Sequence, residues 1–158
     1  MSTQVSEVTP AVRAWTRLLR AHASTTRLLS SRLLAEHGLS INDYEALLVL
    51  SQADERRLKR VELARRLLLT PSGVTRLLEG LEREGLVERA ACPEDLRVTY
   101  ARLTDAGAER LEAASCSHVG SIRTLLEEHL EGDEIEALAK LLGKLPEVSG
   151  GDESCRPA

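Results

Sequence analysis

The stretch from Arg60 to Thr104 leaves few folds open, because two short amphipathic helices, a tight turn and an alternating hairpin follow one another without a gap. Val61-Glu62-Leu63-Ala64-Arg65-Arg66-Leu67 has helical spacing, and Thr70-Pro71-Ser72 opens a second helix expected to run to about Glu84. Thr70 is placed to cap that helix, and Pro71 falls at its first position, where a missing N–H is harmless. Ala64 is small where two crossing helices must approach closely, and Val74, Leu77 and Leu81 are expected on the inner face. The outer face near the start of the second helix is then Ser72, Gly73, Thr75 and Arg76. Short hydrogen-bonding groups and a guanidinium fork at a helix N-terminus suit base edges and phosphates, so the pattern implies a helix-turn-helix docked on duplex DNA.

A wing is expected next. Gly85 stops the helix, Leu86 to Ala91 alternate as a strand, Cys92-Pro93-Glu94-Asp95-Leu96-Arg97 supplies turn chemistry, and Val98 to Leu103 return as a second strand. Arg97 near the tip can place a cation in a minor groove. Asp95 can brace the hairpin by accepting hydrogen bonds from turn N–H groups or from arginine. The candidate DNA contacts are therefore Arg65, Thr70, Ser72, Gly73, Thr75, Arg76 and Arg97, on a mainly α fold with a small β-hairpin wing.

Asp95-Leu96-Arg97 followed, five residues later, by Leu103-Thr104 resembles the wing signature of the MarR family of bacterial transcriptional regulators. Leu81-Glu82-Arg83-Glu84-Gly85-Leu86-Val87-Glu88-Arg89 is similar to that family's join between recognition helix and wing. The resemblance runs from about Val12 to Leu145 and is most specific from Thr70 to Thr104. One departure is Leu67-Leu68-Leu69, where many helix-turn-helix sequences place a glycine. The resemblance implies a homodimer on a pseudo-palindromic operator, acting as a repressor relieved by a small aromatic acid or phenol.

Within that family the chain looks most like the urate-responsive branch, with Trp15 in the first helix, Arg76 in the recognition helix and Arg89 in the first wing strand. Glu45 stands where that branch has an aspartate. The resemblance thus implies a urate-like or phenolic anion near Trp15, Glu45 and Arg89. A tryptophan face with an arginine suits a flat anion, and an acid beside it would be pushed away. The competing assignment puts Trp15 in a dimer core and gives Arg76 and Arg89 structural or DNA-facing roles.

Charge bears on the DNA reading, because the chain is formally −4. Between Glu55 and Arg102 stand 11 Lys and Arg against 8 Asp and Glu, so of totals of 21 and 25 the remaining residues hold 10 and 17. The positive charge is concentrated where phosphates would be met. No apolar run approaches membrane-spanning length, and Met1 to Thr9 lack a signal-peptide core, so a cytoplasmic protein is expected. Cys92, Cys116 and Cys155 form no disulfide framework or metal-ligand spacing, and His22, His37, His118 and His129 add none; no metal or other cofactor is expected. No nucleophile with its base, P-loop or dinucleotide turn is present, and catalysis is not expected.

Helices flank the motif. Val12, Trp15, Leu19, His22, Thr26, Leu29 and Leu33 form a narrow stripe suited to another long helix, and Gly38 ends that segment. Ser40 with Asp43 begins the next helix, with Tyr44, Leu47, Leu48 and Leu50 facing inward. Thr104 caps a long helix expected to reach about Glu131, and Asp133 with Glu136 suggests a cap for a last helix ended by Pro146. Residues 10–37 and 104–146 are thus a candidate dimerisation region, 38–103 the winged helix-turn-helix, and 1–9 and 147–158 flexible termini. Two alternatives remain open: a winged helix used for protein–protein contact without a specific DNA site, or a thiol redox switch at Cys92, beside Arg89 and Arg97 in sequence. The peroxide-sensing members of the resembled family carry their cysteine in the first helix, and this first helix has none.

Overall fold

The computed structural model describes residues 9–92 and 97–146. Helix α1, Pro10–His37, starts with Thr9 Oγ1 accepting from the Val12 N–H at 3.4 Å, so Thr9 belongs to a helix cap. Gly38 ends α1 at φ 69, a left-handed conformation open to glycine without strain. Helix α2, Ile41–Ser51, opens on the expected capping box, with the Ser40 N–H donating to Asp43 Oδ2 at 2.8 Å and the Asp43 N–H donating to Ser40 Oγ at 3.2 Å.

A tight turn at Asp54–Arg56, with Glu55 and Arg56 at φ 52 and 53, leads into β1, Arg57–Lys59. Then come α3, Arg60–Arg66, and α4, Pro71–Arg83, followed by strands β2, Val87–Ala91, and β3, Thr99–Leu103. The sheet is antiparallel in the order β1-β3-β2, with Leu58 opposite Ala101, and Val87 opposite Leu103. The third strand was not expected from sequence. Three residues are too few to show alternation, and the two positive-φ residues before them carry no glycine to mark the turn.

Helix α5, Asp105–Glu127, begins as expected with the Gly107 N–H donating to Thr104 Oγ1 at 3.0 Å. It stops earlier than the expected Glu131. Helix α6, Gly132–Leu142, begins with the Glu131 N–H donating to Glu134 Oε2 at 2.9 Å, two residues before the expected Asp133–Glu136 pair. Both pairs have the same spacing, so sequence alone could not choose the register. Two compact units divide the chain, one ending at His118 and the other beginning at Val119. The termini expected to be flexible lie, apart from Thr9, outside the described residues.

The core of the first unit gathers Leu33, Leu39, Leu47, Leu50, Leu63, Val74 and Leu81, all essentially fully buried. The inner face of α4 is Val74, Leu78 and Leu81, and Leu77 is only half-buried. Adjacent leucines at 77 and 78 both satisfy helical spacing, and packing chooses the second. With the inside of α4 facing that core, its N-terminal outer face is left to solvent.

Candidate nucleic-acid interface

Glu62 organises the cations of α3. Arg65 Nη2 donates to its Oε2 at 2.8 Å, and Arg66 Nε to its Oε1 at 2.9 Å. These two hydrogen bonds hold the Glu62 carboxyl below its ordinary value, and the first of them raises the proton affinity of Arg65. Arg65 nonetheless stays mostly exposed, as a phosphate contact requires.

The turn into α4 resolves the missing glycine. Leu68 itself takes φ 52 and is 83 % exposed, while the Leu69 N–H donates to Ala64 O at 3.0 Å. The turn thus has left-handed geometry with a leucine where a glycine is usual. Thr70 Oγ1 then accepts from the Gly73 N–H at 3.1 Å and caps α4, as expected. A methyl group at Gly73 would sit 3.1 Å from that same oxygen, so the cap leaves little room for a side chain there.

Of the outer-face residues, Ser72 and Arg76 are exposed, whereas the hydroxyl of Thr75 is engaged twice. It donates to Pro71 O at 2.9 Å and accepts from Arg60 Nη2, so Thr75 joins α3 to α4. Sequence spacing did not single out Arg60, since no periodicity relates positions in different helices. Arg60, Lys59 and Arg97 line a cavity of about 410 Å³ together with apolar Ala64, Val74 and Val98. The starts of α3 and α4 and the loop-side start of β3 therefore converge, with cations around them. An anionic group is the natural occupant.

At the wing, the Cys92 N–H donates to Val98 O at 3.3 Å and Arg97 is exposed. Asp95 lies outside the described residues. Arg89 Nε donates to both oxygens of Glu82 at 2.9 Å, tying β2 back to α4 and raising the arginine's proton affinity.

The candidate ligand residues are more scattered. Trp15 on α1 is 59 % exposed, and Arg89 is held by Glu82. Glu45 on α2 has its carboxyl raised above the ordinary value by loss of surrounding water, with His22 pulling the other way. Among the described residues, Trp15, Glu45 and Arg89 line neither the cavity between α3, α4 and the wing nor three other concavities on the surface. No group of three or more His, Cys, Asp or Glu among them could hold a metal ion, and no helix is long and apolar enough to cross a membrane.

A helix-turn-helix packed on a three-stranded wing, with cations gathered at the open end of its second helix, defines a winged-helix DNA-binding protein. A sequence model of the MarR family matches residues 37–97. The chain is 36% identical over 111 residues to the HTH-type transcriptional repressor YetL of Bacillus subtilis, a match covering 70% of this chain and 66%, just under two thirds, of that relative. Its fold is similar to AbsC of Streptomyces coelicolor, a MarR family transcriptional regulator (TM-score 0.69, 30% identity, 85% of this chain and 90% of that one). It is also similar to Sco3205 of the same organism, a MarR family regulator solved in complex with DNA (TM-score 0.78, 27% identity, 89% of each chain). The chain belongs to the MarR family and is a DNA-binding transcriptional regulator.

Proposed function

We propose that the protein is a repressor that binds a pseudo-palindromic operator as a two-fold dimer and is released by a small planar anion. The observation that carries the DNA part is the convergence of Lys59, Arg60 and Arg97 beside the exposed N-terminal face of α4. In this reading Ser72, Gly73 and Arg76 meet base edges or phosphates, Thr70 and Thr75 fix the helix that presents them, Arg65 meets phosphate, and Arg97 enters the minor groove. Residues 38–103 form the DNA-binding part.

Residues 10–37 and 104–146 form the dimerisation region in the same reading. Val12, Trp15 and Leu19 expose 51, 59 and 47 % of their surfaces on α1, and Leu141 exposes 60 % on α6. Charge supports the pairing of copies. From residue 10 to 35 there are five arginines and no acid, whereas from 124 to 139 there are six acids and no Lys or Arg. A two-fold dimer places two reading helices about one turn of DNA apart, ~34–36 Å.

For the ligand, Trp15, Glu45 and Arg89 would form a site only where a second copy closes over α1. The cavity shared by α3, α4 and the wing has the complementary chemistry already, cations with an apolar wall, and an anion held there would compete with DNA directly. The experiment follows Trp15 emission and release of DNA together while urate, xanthine and salicylate are titrated. Trp15→Phe and Arg89→Ala are then tested in the DNA assay. Release abolished by these substitutions supports the α1 site. Release that survives both moves the site to the cavity, and no response to any of the three compounds removes the planar-anion reading.

A further inference from the structure

Helix α5 is fastened to the far end of α4 at two levels. At the first, Thr104 Oγ1 donates to Gly85 O at 2.7 Å and the Thr104 N–H to Leu86 O at 3.1 Å, so α5 starts at the corner where α4 gives way to β2. At the second, Arg110 Nη1 lies 3.7 Å from Oε2 of Glu84, the C-cap residue of α4. The same Nη1 donates to His37 O, on the last residue of α1, at 2.9 Å. One guanidinium thus touches two helix C-termini.

Both contacts follow from helix electrostatics. The last carbonyls of a helix lack internal partners and carry partial negative charge, so a cation is favoured beside them. Gly38 turns its own N–H back to Leu34 O, and Arg110 supplies a donor for His37 O. A carboxylate at a helix C-terminus is unfavourable by the same argument, which leaves Glu84 misplaced unless Arg110 compensates it. A half-exposed pair of this kind contributes little to global stability. Its effect is on geometry. Further along α5, Ser117 Oγ lies 2.6 Å from His37 Nε2, so the end of α1 meets α5 at two points.

We propose that Arg110 is a positioning residue for DNA reading: it ties the C-terminus of α4 to the C-terminus of α1 and fixes the angle at which α4 presents Ser72 and Arg76 to a duplex. The proposal rests on α4 being the recognition helix. Base-edge contacts fail when their side chains move by tenths of an ångström to an ångström, whereas phosphate contacts by long flexible cations tolerate such shifts. Loss of Arg110 should therefore damage discrimination between sequences more than attraction to DNA as such.

The test compares a duplex that the wild-type chain selects from a randomised pool with a scrambled duplex of the same composition, at one salt concentration. Arg110→Ala is expected to weaken the selected duplex about tenfold and the scrambled one less than about threefold, the scale of one charge-assisted hydrogen bond. Arg110→Lys, which keeps the charge, should restore most of the loss. Glu84→Gln should lose discrimination in the same direction, about threefold, and add nothing to Arg110→Ala when the two are combined. Equal losses on both duplexes, or none, overturn the proposal if Arg76→Ala still weakens the selected duplex. If Arg76→Ala has no effect, the assignment of α4 fails, and the proposal with it. Should Arg110→Ala not fold, Glu84→Gln decides: unchanged discrimination overturns the tie.

Discussion

Gly107 lies so close to the carbonyl of Leu86 that a methyl group in place of its hydrogen would sit 2.1 Å from that oxygen and 2.7 Å from Leu103 Cδ1. The obstacle is backbone, which cannot swing aside as a side chain would. Gly107→Ala should force the first turn of α5 off the α4–β2 corner and destabilise the protein by about 1–3 kcal/mol or more. A melting temperature equal to wild type would show that the corner is looser than this geometry requires.

Leu68 holds φ 52 with 83 % of its surface exposed, so it bears the strain of a left-handed residue and buries almost nothing in return. That conformation costs a non-glycine residue about 1–2 kcal/mol, whereas glycine's extra freedom in the unfolded chain costs about 0.5–1 kcal/mol. Leu68→Gly is therefore expected to be neutral or to stabilise by up to about 1 kcal/mol, and Leu68→Ala to give no such relief. Denaturant midpoints check this. Clear destabilisation by glycine would mean that the leucine makes a contact the monomer does not show.

His118 packs its ring 4.7 Å from Tyr44, whose hydroxyl lies 3.2 Å from Ser115 Oγ, and among the described residues its buried Nδ1 has no hydrogen-bond partner. Burial holds its proton affinity below the ordinary value of 6.5. The fold accepts the neutral ring, so the unfolded chain takes up the proton first. Stability contributed this way is present above about pH 6.5 and declines as pH falls below it, levelling off once the folded ring is protonated too. Melting temperatures from pH 8 down to about 5 should fall more for wild type than for His118→Leu, which isolates this residue from the other histidines. Parallel curves would remove His118 from the pH response.

Arg76 is exposed on α4, and no ion pair among the described residues includes it. Arg76→Ala should weaken the selected duplex by about 1–3 kcal/mol with the dimer intact. Sedimentation beside a DNA titration separates the two quantities. Unchanged affinity in an intact dimer would take Arg76 out of the interface.

The elements marked by strong local chemistry are legible in the sequence. Thr70-Pro71, Ser40 with Asp43, Gly38, Gly85 and Thr104 each mark a boundary through a cap or a required backbone conformation, and each falls where expected. What escaped was decided by tertiary contact. The strand Arg57–Lys59 exists because β3 offers it an edge, Leu78 displaces Leu77 by packing, and Arg60 meets Thr75 only once α3 crosses α4. Glu131 outcompetes Asp133 for a cap that either could have made. In the candidate interface, Ser72 and Arg76 stand in the open as expected, while Thr75 faces inward to a partner that sequence spacing does not reveal.

The most direct test of the central claim is the salt dependence of binding to the selected duplex. Neutralising several phosphates per subunit releases condensed counterions, so log affinity should fall linearly and steeply with log salt, with a slope near −0.9 per phosphate contacted. Arg97→Ala should reduce that slope by about 1 and leave the melting temperature nearly unchanged. A steep line for wild type and a shallower one for Arg97→Ala are the predicted results; affinity indifferent to salt would contradict a DNA interface built from Arg65, Arg76 and Arg97.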